Sequence, residues 1–177
     1  KLTERARGFV QAAQTIAICE QNQQLETQHL LKALLDDREG LATQLLTSAG
    51  ANARLAADEA DKAVQSLPKV QGGGDRMYAA TSFTRALDAA EQAAAKAGDS
   101  YVTAERLLFG LAIADGKASE ILKKAGLTPQ KLEGAIAELR KGRTAQSSSA
   151  EDQYDALKKY ARDLTEDARK GKLDPVI

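Results

Sequence analysis

The chain has 177 residues, of which 43% are hydrophobic and 28% are charged, as in one or two ordinary globular domains. Its 25 basic and 25 acidic residues give a formal net charge of +0. This balance argues against a nucleic-acid partner or a polybasic membrane surface, because both need a net basic face. No apolar run approaches the roughly 18 residues that cross a bilayer. One cysteine and one histidine exclude an internal disulfide and a Cys/His zinc site. We therefore expect a soluble protein of a reducing, cytoplasmic compartment that binds no nucleic acid, membrane or metal.

An internal repeat determines the expected architecture. Residues 4–66 match residues 81–143 at an offset of about 77, so that Leu30-Leu31 corresponds to Leu107-Leu108 and Ala49-Gly50 corresponds to Ala125-Gly126. Two copies are too few for a solenoid. Alanine, the strongest helix former, supplies 34 residues. The sequence therefore predicts an all-α fold, in which a pseudo-twofold pair of four-helix repeats (about 4–66 and 81–141) forms one globular domain.

The first copy has four predicted helices. They are Thr3–Glu20, Gln28–Asp36 with Thr27 as its N-cap, Leu41–Ser48, and a helix that begins at Asn52 and stops before Pro68. Cys19 lies in line with Ile16 on the first helix, so we expect a buried core thiol. His29 is expected to pack and hydrogen-bond locally at the start of the second helix.

The second copy has residues that start and stop helices at the corresponding positions. Gly98-Asp99-Ser100 closes its first helix, Thr103 caps the second, Gly126 ends the third, and Thr128 with Pro129 begins the fourth. Two breaks surround this copy. The stretch from Pro68 to Ala80 contains three consecutive glycines and is predicted to be an exposed, mobile loop. Residues 142–150 are small and polar and are predicted to be a flexible linker. A helical pattern resumes over Glu151–Lys170.

Candidate chemistry is sparse. The stretch Gly110–Ser119 superficially resembles a phosphate-binding loop, but five residues separate its glycines and Ala118 follows the lysine. Cys19 and His29 have no acidic partner arranged around them, as a catalytic pair would need. Asp99 and Glu105 bracket a helix junction, either as site residues or because acidic groups favour a helix N-terminus. We predict that this chain is not an enzyme and has no catalytic residue, metal site or cofactor of its own.

Several motifs resemble one known family. They are Leu2-Thr3, the run from His29 to Leu35, Leu45–Gly50, Leu67–Val70, Gly98-Asp99 and Ile121–Gly126, followed by Ala156–Thr165 and Gly171–Ile177. Residues 1–141 resemble the double Clp repeat N-terminal domain of bacterial AAA+ unfoldases, and in particular of the ClpB-type disaggregases. Residues 151–177 resemble the opening of the first ATPase module of that family, truncated before its phosphate-binding loop.

The resemblance implies a substrate-engaging domain of a heat-shock disaggregase. Such proteins form ATP-driven homohexameric rings that need magnesium, and they thread unfolded or aggregated polypeptides together with the DnaK chaperone system. Substrate handling in the family falls on Thr3, Asp99 and Glu105. Positions of its apolar groove that can carry leucine are occupied here by Ala89, Ala93 and Arg106, which leaves the depth of the groove open. Val176 and Ile177 would adjoin adenine in a full-length protein only.

Two other functions remain to be separated from this one. The same fold could serve as the adaptor-binding module of a protease-linked Clp unfoldase, which would bind one small folded protein tightly. A free-standing enzyme is disfavoured because no catalytic constellation is present. We also expect residues 151–177 to be disordered or wrongly docked here, because four apolar side chains would lack their normal partner: Tyr154, Leu157, Tyr160 and Leu164.

Overall fold

The computed structural model describes residues 1–71 and 77–154 and confirms the all-α fold. The helices that lie wholly within these ranges are α1 (Glu4–Cys19), α2 (Thr27–Leu35), α3 (Leu41–Ser48), α4 (Ala53–Gln65), α5 (Thr81–Lys96), α6 (Ala104–Ile113), α7 (Lys117–Lys124) and α8 (Pro129–Arg140). Residues 150–154 are also helical. Two short strands accompany them, β1 (Gln24–Leu25) and β2 (Tyr78–Ala79). None of the described helices is both long and apolar enough to cross a membrane.

Side chains that begin the helices match the prediction at three of four positions. Asn52, Thr103 and Thr128 each accept the backbone N–H three residues further on. The predicted Thr27 cap is wrong, because Thr27 is the first residue of α2 and the N-cap position is Glu26. The Thr27 hydroxyl instead accepts the N–H of Ala118 in the second copy, 3.2 Å away. A threonine suited to capping is thus used to join the two copies.

Two short parallel pairings show how the copies interlock. Strand β1 of the first copy pairs with β2, which precedes the first helix of the second copy. Leu2 pairs in the same way with Val102, and these residues lie at the repeat offset from Ala79 and Leu25. Each pairing therefore joins the start of one copy to the second helix of the other, as a pseudo-twofold requires. Strand β2 lies within the stretch from Pro68 to Ala80, which was predicted to be a loop. That prediction is wrong at Tyr78 and Ala79.

The core lies between α2 and α6, whose leucines are almost completely buried. Helix α6 also packs closely against α5, since a Cβ added to Gly110 would lie 2.4 Å from the carbonyl oxygen of Ala86. Small side chains let the helix axes approach, which explains why an alanine-rich sequence can still form a dense core.

Cys19 is exposed, which contradicts the predicted buried thiol. The buried face of α1 consists of Ala6, Ala13 and Ala17. Cys19 follows Ala17 by two residues, or about 200° around a helix, so it lies on the opposite face. Ile16, the residue used to place it, is itself only half-buried.

Candidate functional site

The polar residues singled out in the second copy converge on Arg140, the last residue of α8. Its guanidinium donates two hydrogen bonds to the Asp99 carboxylate, with N–O distances of 2.7 and 2.8 Å. It also donates to Glu105 Oε2 and to Thr103 Oγ1, each at 3.0 Å. The carboxylates have no exposed side-chain surface, and Arg140 has 4%. The junction between α5 and α6 is therefore fastened to the end of α8 by a buried ionic cluster.

Arg106 belongs to the edge of the same cluster. Its Nη1 lies 2.8 Å from Glu133 Oε2, and its Nε lies 3.7 Å from Asp99 Oδ2. The guanidinium also sits 5.8 Å from the centroid of the Phe109 ring. Because 4% of its side chain is exposed, this arginine closes the packing between α6 and α8 and does not project into solvent.

Burial shapes the electrostatics of the cluster. It raises the pKa of Glu105, against the opposing influence of the Arg140 guanidinium. Burial also disfavours the charge on Arg140, but the carboxylates of Asp99 and Glu105 outweigh it and raise the pKa of Arg140 further above its usual range. One permanently charged guanidinium thus holds two buried carboxyl groups in place.

Thr3 connects this cluster to the beginning of the chain. Its fully buried hydroxyl accepts the N–H of Ala6 and donates to Glu151 Oε2, at 3.1 and 2.6 Å. The N–H of Ala104, in the first turn of α6, donates to the same carboxylate oxygen at 2.9 Å. The Glu151 carboxylate therefore bridges the N-terminal ends of α1 and α6, where the helix dipoles favour negative charge.

Residues 145–154, which we call the strap, lie across this end of the domain. The N–H of Ala145 donates to Asp99 Oδ1, and its carbonyl accepts the N–H groups of Ser100 and Tyr101. The Ser148 carbonyl accepts the N–H of Glu4 at 2.8 Å. Residues 142–150 were expected to be a flexible linker, but their centre is hydrogen-bonded to the domain because the buried Asp99 carboxylate offers a partner to a backbone N–H.

Tyr154 ends the strap and is buried. It packs with Ala145 and Ala150, and Arg140 lies 5.7 Å from the centroid of its ring. Burial raises the pKa of its hydroxyl to about 12. Tyr154 was expected to lack its normal partner, and here it packs on the domain itself, whereas Leu157, Tyr160 and Leu164 lie outside the described residues.

The first copy contains a neutral counterpart of this cluster. At the repeat offset, Asn22 corresponds to Asp99 and His29 to Arg106. The Nε2 of the fully buried His29 lies 2.8 Å from Asn22 Oδ1, and its Nδ1 accepts the N–H of Glu26. Burial lowers the pKa of His29 to about 4. The Asn22 amide donates to the carbonyl of Pro68, so the segment after α4 closes the first copy as the strap closes the second.

The predicted groove residues lie on two neighbouring helices. Ala89 and Ala93 are half-buried and one turn apart on α5. Helices α5 and α6 are antiparallel, with Gly110 against Ala86 and Ala90, so the start of α6 lies beside the Ala93 end of α5. Val176 and Ile177 lie outside the described residues.

Thr3, Asp99 and Glu105 are brought together, but their side chains have no surface with which to touch a polypeptide in this conformation. Sequence reasoning missed Arg140, Glu151 and the role of the strap. The available signal was the repeat itself, because the segment after α8 occupies the place of the segment after α4.

The exposed apolar side chains lie at the other end of α1. Among the described residues, Ile18, Tyr78 and Ile113 are the most exposed of the large hydrophobic ones, at 63%, 52% and 43%. Ile18 is in the last turn of α1, Tyr78 is in β2, and Ile113 ends α6. Gly116, just beyond α6, is next to Thr27 and Ser82, so these elements meet around the β1–β2 pair. In the described ranges, no group of three or more His, Cys, Asp or Glu side chains could hold a metal ion.

Comparison with known proteins gives consistent matches. Residues 1–125 match the Clp repeat (R) N-terminal domain. The whole chain aligns with the chaperone protein ClpB of Rhodopseudomonas palustris at 56% identity and with that of Rickettsia felis at 39%. The chain spans about a fifth of the length of these relatives, 20% and 21%. The crystal structure of the Hsp104 N-terminal domain from Candida albicans superimposes with a TM-score of 0.75 at 21% identity, covering 85% of this chain and 98% of that one.

Proposed function

Since this chain belongs to the Clp repeat (R) N-terminal domain family, we propose that it is the substrate-engaging N-terminal domain of an ATP-dependent, ClpB-type disaggregase. The observation that carries the proposal is the alignment with ClpB chaperones, which runs through all 177 residues and therefore beyond the repeat domain. In this proposal the chain binds unfolded or aggregated polypeptide and passes it to a homohexameric ATPase ring. The DnaK system, ATP and magnesium act with the full-length protein in the cytoplasm.

The proposed division of labour follows the chain. Residues 1–141 bind substrate, 142–150 connect, and 151–177 open the first ATPase module, with Val176 and Ile177 beside adenine. In this proposal the 177 residues alone neither bind nor hydrolyse ATP, because they contain no phosphate-binding loop motif. The strap contacts described above support a connection that starts from a docked position on the domain.

We place the polypeptide contact on the face of α5 that carries Ala89 and Ala93. Unfolded chains expose apolar side chains, and an apolar surface can bury them without sequence specificity. Alanines and the packed Arg106 make this surface shallow, so each contact is weak. Several weak sites around one ring would still hold an aggregate through multivalency while allowing release.

An NMR titration tests the contact. The ¹⁵N-labelled chain is titrated with a permanently unfolded polypeptide and, separately, with the folded form of the same polypeptide. We expect amide shifts on α5 with the unfolded form only. Ala93→Glu should weaken binding at least tenfold, because it places a charge in the contact. Ala95→Glu, on the exposed opposite face of the same helix, is the matched control.

The same titration separates the adaptor-binding alternative. Indifference to the unfolded chain, together with saturable binding of one small folded protein, would overturn the disaggregase proposal and favour the adaptor module. Shifts confined to Ile18, Tyr78 and Ile113 would keep polypeptide binding but move it to the β1–β2 end. Equal effects of Ala93→Glu and Ala95→Glu would refute the placement on α5.

A further inference from the structure

We propose that the strap is a displaceable internal ligand, and that the place it occupies is a binding site for a polypeptide segment that carries an acidic side chain. This inference rests on the proposed function, since it supplies a second type of substrate contact for the same domain. In the structure the site is filled by the chain's own residues 145–154. A segment of another polypeptide would take their place when the strap leaves.

The domain presents a set of groups that suits such a ligand. Asp99 Oδ1 receives a backbone N–H, and the N–H groups of Ser100, Tyr101 and Glu4 are offered to backbone carbonyls. Thr3 Oγ1 and the Ala104 N–H converge on one carboxylate oxygen at 2.6 and 2.9 Å. The backbone contacts at Ala145 and Ser148 do not depend on the side chains of the ligand, whereas the carboxylate of Glu151, in the helical turn at 150–154, adds selectivity.

Hydrogen-bond donors and helix dipoles explain the preference for an acidic side chain. Without the strap, the buried groups are the carboxylates of Asp99 and Glu105 and the guanidiniums of Arg106 and Arg140, two of each sign. Glu151 adds one negative charge at the N-terminal ends of α1 and α6. Hydrogen-bond donors and helix dipoles at these ends stabilise an anion. A cationic or apolar side chain would leave the Ala104 N–H without a partner.

The strap's apolar contacts are separate from the main core. Ala145, Ala150 and Tyr154 form a small cluster of their own, which touches the domain through the partly buried Leu139. The main core, by contrast, extends through α1 to α8 as one cluster. Removing the strap therefore uncovers a small apolar surface and leaves the main core packed.

The polar contacts beneath the strap are incompletely satisfied. Glu105 Oε1, Glu151 Oε1 and the Tyr154 hydroxyl are buried without a hydrogen-bond partner among the described residues. Burial of a polar atom without a protein hydrogen-bond partner costs free energy and therefore opposes docking. A strap that is partly satisfied and packed outside the core has the character of a ligand that can be exchanged.

The first copy makes the comparison sharper. There the segment after α4 is held by neutral groups. The Asn22 side-chain amide donates to the Pro68 carbonyl, and the Val70 N–H donates to the Gln21 carbonyl. Among the described residues, no carboxylate is hydrogen-bonded to the Asn22 side chain or to the His29 ring. The second copy has therefore exchanged a neutral closure for a charged one with a defined carboxylate position, which a purely structural closure does not need.

A peptide competition on the 177-residue chain tests the inference. The probe is a synthetic peptide with the sequence of residues 143–154, titrated into the ¹⁵N-labelled wild-type chain and into the Glu151→Gln variant. The variant keeps the shape of the strap but loses the carboxylate, so its strap should be displaced more easily. Glu138→Gln, an exposed carboxylate on α8 with the same change of charge, is the matched control.

We expect the peptide to bind Glu151→Gln at least tenfold more tightly than the wild-type or Glu138→Gln chain, with shifts at Thr3 and Ala104. The wild-type strap competes at a high effective concentration because it is tethered. A peptide that itself carries Glu151→Gln should bind at least tenfold more weakly than the unmodified one. Hydrogen exchange should show the strap-covered amides of Glu4 and Ser100 opening at least tenfold more often than core amides such as Leu107.

Equal peptide binding to all three chains, or absence of shifts at Ala104, would overturn the inference. Exchange of the Glu4 and Ser100 amides only together with the core would overturn it too, because the strap would then be an inseparable part of the fold. If unfolded polypeptide still shifts α5 in that case, the proposed disaggregase function stands without the internal ligand. If the peptide binds at Ala104 but unfolded polypeptide binds nowhere, the site stands and the proposed function fails.

Discussion

Replacing Arg140 by methionine should reveal how much stability the buried ionic cluster controls. The guanidinium makes three charged hydrogen bonds to Asp99 and Glu105 and one to Thr103. Its loss leaves the buried Glu105 carboxyl without a counter-charge and leaves Asp99 with Arg106 alone, 3.7 Å away. Breaking a buried pair in this way costs about 3–5 kcal/mol. A domain of this size has a free energy of unfolding of about 5–15 kcal/mol. Arg140→Met should therefore remove a large part of the total.

Urea unfolding followed by circular dichroism measures this effect. With a loss of about 4 kcal/mol and an m-value of about 2 kcal/mol/M, the midpoint should fall by about 2 M. Arg143→Met is the control, because Arg143 is exposed three residues further on and should cost less than about 0.5 kcal/mol. Similar small losses in both variants would refute the reasoning, since they would mean that solvent replaces the guanidinium at no cost.

Two further predictions concern the core and the first copy. Gly110→Ala should destabilise by about 2–3 kcal/mol in urea, because its Cβ would lie 2.4 Å from the Ala86 oxygen and 2.9 Å from the Ala90 side chain. Gly134→Ala, with nothing within 4 Å, should instead stabilise by about 0.5–1 kcal/mol; a loss in both would contradict the packing. His29, with its pKa lowered to about 4, stays neutral in the folded domain while the unfolded chain takes up a proton below about pH 6.5. The contribution of His29 to the free energy of unfolding is therefore complete above that pH, and it should fall by about 3 kcal/mol towards pH 4. An NMR titration of the ring protons of this single histidine with a midpoint near pH 6.5 would contradict the lowered pKa and the predicted loss.

The repeat and the helices could be predicted from sequence because their signals are local. Asn52, Thr103 and Thr128 act as caps through bonds to residues three positions away, and a short window contains everything that decides them. The offset of the repeat then predicted the pseudo-twofold, which the pairings at Leu2 and β1 display. Family resemblance added the assignment that composition alone cannot give.

Long-range partners decided the features that could not be predicted. Thr27 has the chemistry of a cap, but its hydroxyl accepts a hydrogen bond from the N–H of Ala118, 91 residues away. Residues 142–150 have the composition of a linker, yet the buried Asp99 and the N-terminal end of α1 provide bonds that composition does not show. Arg140 gave no local signal, because an arginine in the last turn of a helix is ordinarily a surface residue that complements the dipole.

The bond between Glu4 and Ser148 has a geometric consequence for the whole domain. It places the first residues of the chain beside the strap, so the polypeptide enters the domain and reaches the end of its described part at one pole. Helix α1 runs from that pole for 16 residues, about 24 Å, to Cys19. If the domain is held at this pole, any rotation of it moves the residues at the opposite end of α1 through the largest distance. Labels at residues 1 and 154 would report on the pivot, whereas a label on the exposed Cys19 would follow the moving tip.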